Sequence, residues 1–351
     1  MKKKAAYLLL VIFIIINISA CKRDNTNQIK KDLFALNTYI TFTLPGGDNA
    51  QSGLDAAIDR LKEIEQRMSA TLPDSDISML NANAGKQPVK VHEDTFYVIK
   101  TALQYSKLTD GAFDITTLPI GMLWNITGEN PQVPSQEAIL QKLPLIDYKK
   151  VQLNEADLTV FLKAEGMMID LGGIAKGYAG DEIARILKEH SVKNALINLG
   201  GNVVAVDGKE DGTPWRIGIQ NPRMEENQQN QKNVAVIETK GEAIVTSGDY
   251  ERYMVEVFKK TGVRYHHIFD PKTGYPAKTG IISVTVVGKS GIDDDALSTS
   301  IFVMGLDKGL RLANELEDIN VMIITEDKGV YFSKDLKDRV QVVHPDYHIE
   351  N

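Results

Sequence analysis

The chain has one cysteine, Cys21, in 351 residues, so a disulfide framework is excluded. With no Gly-x-Ser-x-Gly elbow and no spare thiol, a hydrolase built on a protein nucleophile has little support. Neither a Gly-x-x-x-x-Gly-Lys-Ser/Thr loop nor a Gly-x-Gly-x-x-Gly turn is present, so the two familiar nucleotide-binding signatures are missing. Positive charge is short: 40 Lys and Arg face 47 Asp and Glu, a net charge of −7, which makes nucleic acid and anionic lipid surfaces poor partners. The apolar run from Ala5 to Ile16 is too short, and wrongly flanked, for a membrane span. What remains is ordinary globular material, 43% hydrophobic and 25% charged, enough for a large core in one big or two interleaved domains.

The first residues read as an export signal. Lys2, Lys3 and Lys4 precede the apolar run, and Ile18-Ser19-Ala20-Cys21 ends it on small residues. A small residue followed by Cys at this position resembles a bacterial lipobox, in which residues 1–20 are removed and Cys21 becomes the lipidated N-terminus. An ordinary signal peptide with an incidental cysteine is the plainer alternative. Loss of the three lysines takes the mature chain to −10. Residues 21–31 then read as lipidated cysteine and polar tether, and 32–345 as the folded domain.

Within that domain, Thr38 to Leu44 alternates like a strand. Ser52 to Met68, Asp94 to Leu108 and Ser135 to Leu143 carry helical periodicity, and Asp181 to His190 forms a helix after a glycine turn. Gly111 to Ile120 is too polar and broken for either element and reads as a loop. Ala195 to Asn202 is a buried strand leaving on a double glycine. Trp215–Gln220, Val234–Thr239, Ala243–Ser247, Tyr253–Phe258, Ile282–Val287 and Val321–Thr325 are further strand candidates. Gln228 to Lys232 reads as a solvated loop, and Ala296–Met304 and Leu306–Leu316 as helix. Helices and strands mix without a fixed repeat, so the fold class is α+β, with mixed sheets covered by helices.

Chemistry concentrates in four places. Asp170-Leu171-Gly172-Gly173-Ile174-Ala175-Lys176-Gly177 runs into a helix. Its glycines let backbone amides approach an anion, the helix start is electropositive, and Lys176 adds a point charge; a tight packing turn would look the same. Thr246-Ser247-Gly248-Asp249-Tyr250 is a dense polar turn, or simply a hairpin. In His266-His267-Ile268-Phe269-Asp270-Pro271, two histidines precede a fixed turn without zinc-site spacing. Asp293-Asp294-Asp295 opens a helix on which Asp295 and Thr299, four apart, offer a carboxylate and a hydroxyl to a hard cation such as Mg²⁺. An acidic helix start is equally an N-cap and dipole partner.

Taken in order, the Asp170–Gly177 stretch, Ile197-Asn198-Leu199-Gly200-Gly201-Asn202, the Thr246–Tyr250 turn, His267-Ile268-Phe269-Asp270-Pro271-Lys272-Thr273-Gly274 and Asp295-Ala296-Leu297-Ser298-Thr299 resemble the ApbE family, the FAD:protein FMN transferases. The resemblance spans Leu33 to Val340 and includes Met68-Ser69, Asp74-Ser75-Asp76-Ile77-Ser78, Asn81 and Gly111-Ala112-Phe113-Asp114. It implies a T-fold-like architecture and a Mg²⁺-dependent enzyme that splits FAD, transfers FMN to a Thr or Ser hydroxyl of a partner protein and releases AMP. It places metal at the side chains of Asp295 and Thr299 and the carbonyl of Gly173, with Ser298 as neighbour. Ala112, Phe113, Asp114, Asp170, Lys176 and Ile268 fall around FAD. His267 and Asp295 are rival candidates for the proton-transfer group.

Two departures lie on the side of the family's flavin ring: Leu36-Asn37-Thr38 stands where Met-Gly-Thr is common, and Thr71 where an aromatic follows Met-Ser. The chain lacks the family's Asp/Ser-Gly-Ala-Ser/Thr acceptor segment, so the acceptor is expected to be another exported protein, such as a membrane redox-pump subunit. The resemblance also leaves room for an FAD pyrophosphatase giving free FMN and AMP, or a flavin-binding lipoprotein without turnover. An unrelated solute-binding lipoprotein would show no dependence on divalent ions.

Overall fold

The computed structural model describes residues 28–224 and 232–350. Among these residues, nine strands make the central sheet, in the order β1 (Gln28–Ala35), β2 (Thr38–Pro45), β6 (Ala195–Leu199), β7 (Asn202–Val206), β10 (Ala243–Gly248), β11 (Ile281–Gly288), β12 (Asn320–Thr325), β13 (Gly329–Phe332) and β15 (His348–Ile349). Every neighbouring pair is antiparallel except β13 and β15. Two three-stranded sheets stand apart: β8 (Trp215–Gln220), β9 (Asn233–Thr239) and β14 (Val340–Val342), and β3 (Val89–Lys90), β4 (Val151–Asn154) and β5 (Thr159–Leu162).

Helices cover one face of the central sheet. The amphipathic pattern that put Leu54, Leu61, Ile64 and Met68 on one side of α1 (Asp48–Met68) buries them against Ile40, Phe42 and Leu44 of β2. The same core takes in α6 (Ala175–Glu189) through Ala179, Ile183 and Leu187. Further along, α8 (Gly291–Met304) and α9 (Leu306–Glu315) pack on β11 and β12 through Leu297, Phe302, Val284 and Val321. On the other face, Ile217, Ile219 and Ile237 of the small sheet close over Ile244, Met322 and Ile324. Every residue of β11 is consequently buried, which is why its sequence is an apolar run instead of an alternation.

The smaller helices are α2 (Asp76–Ala82), α3 (Glu93–Leu108), α4 (Leu118–Trp124), α5 (Gln136–Lys142) and α7 (Val255–Thr261). Ser135 caps α5 as the sequence suggested, accepting from Ala138 N at 3.2 Å.

Five expectations need adjustment, the first being the helix expected from Asp181, which begins within the glycine turn itself, at Ala175. The stretch expected as tether up to Lys31 already contains β1, which starts at Gln28 and pairs in full register with β2. Tyr253–Phe258 is not a strand: apart from a bridge between Tyr253 and His266, the chain turns into α7, closed by Gly262 in the left-handed region at φ 71°. Gly111–Ile120 contains a 3₁₀ turn, Ile115–Thr117, and the start of α4, with Pro119 in its first turn. The helix expected from Ala296 begins earlier, at Gly291. Cys21, the leader and all of the Gln228–Lys232 loop except Lys232 lie outside the described residues.

Candidate active site at the crossing of two helices

Asn81 of α2 holds the glycine turn from behind: its amide donates to Ile169 O (3.0 Å) and accepts from Ile169 N (2.7 Å). Asp170 follows, its amide bonded to Ile115 O and its Oδ1 accepting from Gly172 N at 2.7 Å. The first helical acceptor of α6 is the Ile174 carbonyl, which takes Tyr178 N. The Gly173 carbonyl therefore precedes the helix ladder, and Gly177 N, a first-turn amide, donates instead to Asp295 Oδ2 of α8 at 2.9 Å. Lys176 Nζ donates to Gly172 O (2.9 Å) and lies 3.7 Å from Asp295 Oδ1.

This contact is possible because α6 and α8 touch backbone to backbone. A Cβ on Gly177 would sit 2.0 Å from Gly291 O and 2.8 Å from Asp295 Cβ. A Cβ on Gly173 would meet Phe113 Cε2 at 3.2 Å and Thr299 Oγ1 at 3.8 Å. The glycine turn, Phe113 and the Asp295–Thr299 face thus form one cluster, as the sequence order suggested.

Ser247 at the end of β10 completes it. Its hydroxyl lies 2.8 Å from Ser298 Oγ and 3.3 Å from Thr299 Oγ1. Ser298 is fully buried and also donates to Asp295 O. Ser247 belonged to a motif singled out in the sequence but not to the residues assigned there; only the fold shows that β10 ends against α8.

The three aspartates at the start of α8 diverge. Asp295 faces the glycine turn. Asp294 is fully buried toward β11, where its carboxyl has no hydrogen-bond partner among the described residues, and burial with Asp181 nearby keeps it protonated well above the usual range. Asp293 interacts with Tyr105 on α3, whose phenol is pushed up mainly by burial.

The histidine pair divides in the same way. His266 is a satisfied core residue: Nε2 donates to Ala277 O at 3.0 Å, Nδ1 accepts from Ile268 N, and burial lowers its proton affinity. His267 is half-buried, with its amide and Nδ1 both against Arg252 O (3.1 and 3.2 Å). That assigns the proton to Nδ1 and leaves Nε2 as the acceptor. Burial, then Arg252 and His266, with a smaller effect from Lys176, push its pKa down to about 3. Arg252 also donates to Asn37 O in the β1–β2 turn, where Leu36 and Asn37 hold φ 50° and 57°.

Ala112 is half-buried beside Phe113 on the loop after α3. Asp114 spends its carboxylate inside that loop, accepting from Thr116 N and Oγ1 (2.8 and 2.7 Å) and Tyr148 N (3.0 Å). Ile268 lies in the core, with both backbone groups bonded to His266 and Ala277.

No group of three or more His, Cys, Asp or Glu side chains able to hold a metal occurs among the described residues. A cation here would have one carboxylate, Asp295, together with neutral oxygens from Thr299 and Gly173. That set suits a hard ion that keeps waters and shares substrate phosphates, as Mg²⁺ does. Asp295 is 3% exposed, and its second oxygen, Oδ1, with Lys176 3.7 Å away among the described residues, fits such an ion.

The chain also resembles known proteins along most of its length. The model of the ApbE family matches residues 36–323. The FAD:protein FMN transferase of Treponema pallidum is 35% identical over 312 residues, 85% of this chain and 84% of that protein. The crystal structure of the ApbE protein of Thermotoga maritima superposes with a TM-score of 0.80 at 35% identity, over 89% of this chain and 99% of that one. The flavin transferase ApbE of Vibrio cholerae gives 0.78 at 29%, over the same shares. The chain belongs to the ApbE family, whose members named here are flavin transferases or carry the family name.

Proposed function

We propose that this chain is an FAD:protein FMN transferase. It takes FAD, cleaves the pyrophosphate between its phosphorus atoms, passes the FMN phosphoryl to a Thr or Ser hydroxyl of an acceptor protein and releases AMP. The observation that carries this reading is the meeting of Lys176 and the α6 N-terminus with Asp295, Thr299 and Ser247 around the Gly173 backbone. A pyrophosphate is a dense anion, and phosphoryl transfer demands charge compensation and alignment more than covalent help from the protein.

Mg²⁺ held by Asp295, Thr299 and the Gly173 carbonyl would neutralise the phosphate oxygens on which negative charge accumulates. Lys176 supplies a fixed cation on the same side, and the positive end of the α6 dipole adds to it although its first amides are already bonded to Leu171 O and Asp295 Oδ2. Phe113, packed over Gly173, keeps bulk water from that side of the turn. His267 is assigned the acceptor hydroxyl's proton: it is neutral, with Nδ1 against Arg252 O and Nε2 the nitrogen left to accept. With its pKa pushed down to about 3 it is a weak base unless the substrate's negative charge raises it, and Asp295, which holds Gly177 N, is the rival. Ala112, Asp170 and the Ile268 segment are assigned to the FAD envelope.

The acceptor is an exported protein carrying an Asp/Ser-Gly-Ala-Thr/Ser segment, fitting a membrane redox-pump subunit, and the enzyme is itself exported and anchored by lipid on Cys21. Labelling cells with a radioactive fatty acid tests the anchor: label on the native chain and none on Cys21→Ser is expected, and equal label on both refutes it. For the activity, the chain lacking residues 1–21 is incubated with FAD and an acceptor peptide. AMP release that stops with EDTA and returns with Mg²⁺ is expected; release indifferent to the chelator would overturn the site.

A further inference from the structure

Helices α6 and α8 exchange their N-terminal caps. α8 starts at Ser290, whose side chain caps nothing. Its first two amides, Gly291 N and Ile292 N, donate instead to Oδ1 (2.7 Å) and Oδ2 (2.9 Å) of Asp181, on α6. α6 starts at Ile174, which has no side-chain acceptor, and its Gly177 N donates to Asp295 Oδ2, on α8. The two halves have the same local pattern: Gly177 precedes Asp181 by one helical step of four, as Gly291 precedes Asp295. Each glycine lets the other helix approach, since a Cβ on Gly177 would strike Gly291 O at 2.0 Å and one on Gly291 would strike Gly177 O at 2.8 Å.

Asp181 bonds to neither Lys176 nor Asp295 and belongs to no assigned ligand set. Yet its two hydrogen bonds fix where α8 begins against α6, and the residues carried by α8 from that point are Asp295, Ser298 and Thr299. Gly291 and Ile292 are both buried, so losing their acceptor would leave amides that the helix must move to satisfy.

We infer that Asp181 is a positioning residue for the cation site: by capping α8 it holds the Asp295 carboxylate and Thr299 hydroxyl against the glycine turn that carries the Gly173 backbone. The inference rests on the reading of Asp295 and Thr299 as Mg²⁺ ligands. Partners that orient metal ligands typically change metal affinity by about 10–100-fold when lost.

The test measures, in the same chains, the rise in melting temperature on titrating Mg²⁺ in the presence of FAD and the Mg²⁺ concentration that half-saturates AMP release. Asp181→Asn keeps the shape but replaces one acceptor by a donor, and about a tenfold higher Mg²⁺ midpoint is expected in both readouts. Asp181→Glu retains the charge and cap but pushes the helices apart by a methylene; it is expected to fold if the Asn variant does not, and to raise the midpoint as well. Ser135→Ala removes a cap from α5, which carries no site residue, and is expected to lower the melting temperature while leaving the Mg²⁺ midpoint alone.

A wild-type midpoint in both Asp181 variants, or an equal shift in Ser135→Ala, overturns the inference. If the wild-type chain itself shows no response to Mg²⁺, the reading of Asp295 and Thr299 fails, and the role of Asp181 fails with it.

Discussion

Replacing Gly177 by alanine sets two effects of opposite sign against each other. In an open helix the change would stabilise, because alanine is favoured over glycine by about 1 kcal/mol. Here the new methyl group would lie 2.0 Å from Gly291 O and 2.6 Å from its carbonyl carbon. Both are backbone atoms, so no rotamer change relieves the overlap, and the helices must part by about 1.5 Å to restore ordinary contact at about 3.5 Å. Overpacking of this kind costs roughly 1–3 kcal/mol, which outweighs the propensity gain, and a drop of a few degrees in melting temperature is expected. The separation also draws Asp295 Oδ2 away from Gly177 N, now at 2.9 Å. A misplacement of about 1 Å at a reacting centre lowers the rate by about 100-fold. The assay pairs a thermal melt with AMP release from FAD. Gly180→Ala serves as comparison, because there the added methyl meets the Val204 Cγ2 side-chain atom at 2.7 Å instead of backbone; a smaller loss of activity is expected. If Gly177→Ala melts higher than the wild-type chain and releases AMP at the same rate, the closeness of α6 and α8 is not what holds the site.

Three further outcomes follow from the same geometry. Asp295→Ala should abolish AMP release with near-native circular dichroism, since a capping carboxylate is worth about 1 kcal/mol; turnover persisting with Mg²⁺ would refute its assignment. Lys176→Ala should weaken FAD binding measured by fluorescence quenching, and unchanged affinity would place the pyrophosphate elsewhere. His267, with its pKa pushed down to about 3, should leave no acid limb near pH 6.5 in kcat/KM. Because the unfolded chain takes up this proton near pH 6.5 and the folded chain does not, its contribution to stability is complete above that pH and lost progressively on acidification toward 3. Arg252→Gln should shift both transitions upward; a wild-type acid limb already at 6.5 would refute the neutral-histidine reading.

Much of this was legible in the sequence for identifiable reasons. The apolar faces of α1 and α6 and the continuous run of β11 announce their burial directly, and Ser135 marks its own helix. Local pattern failed where solvent or tertiary contact decides. β1 is an edge strand whose exposed Lys30, Lys31 and Asp32 give it the composition of a linker. Tyr253–Phe258 alternates, but Gly262 closes a helical turn over it. At the site, the motifs named the glycine turn and the Asp295 face, and the fold brings them together. Ser247 sits in a polar turn and Asp181 at the end of the glycine-rich stretch, but nothing beside either residue names its partner. Their partners are 51 and 110 residues away, and a cap donated by another helix leaves no trace in the sequence beside it. Of the three consecutive aspartates the sequence singled out Asp295 by its spacing from Thr299, and helix phase in the fold turns Asp295 to the glycine turn and Asp294 into the core.

The reaction itself is tested most directly by the mass of the acceptor. The chain lacking residues 1–21, FAD, Mg²⁺ and a peptide containing Asp-Gly-Ala-Thr are incubated, and the peptide's mass is followed together with AMP. The account requires a peptide heavier by one FMN on its threonine, with one AMP for each modified peptide. AMP with free FMN and an unmodified peptide, repeated with a full-length acceptor protein, would contradict transfer and leave hydrolysis of FAD as the activity.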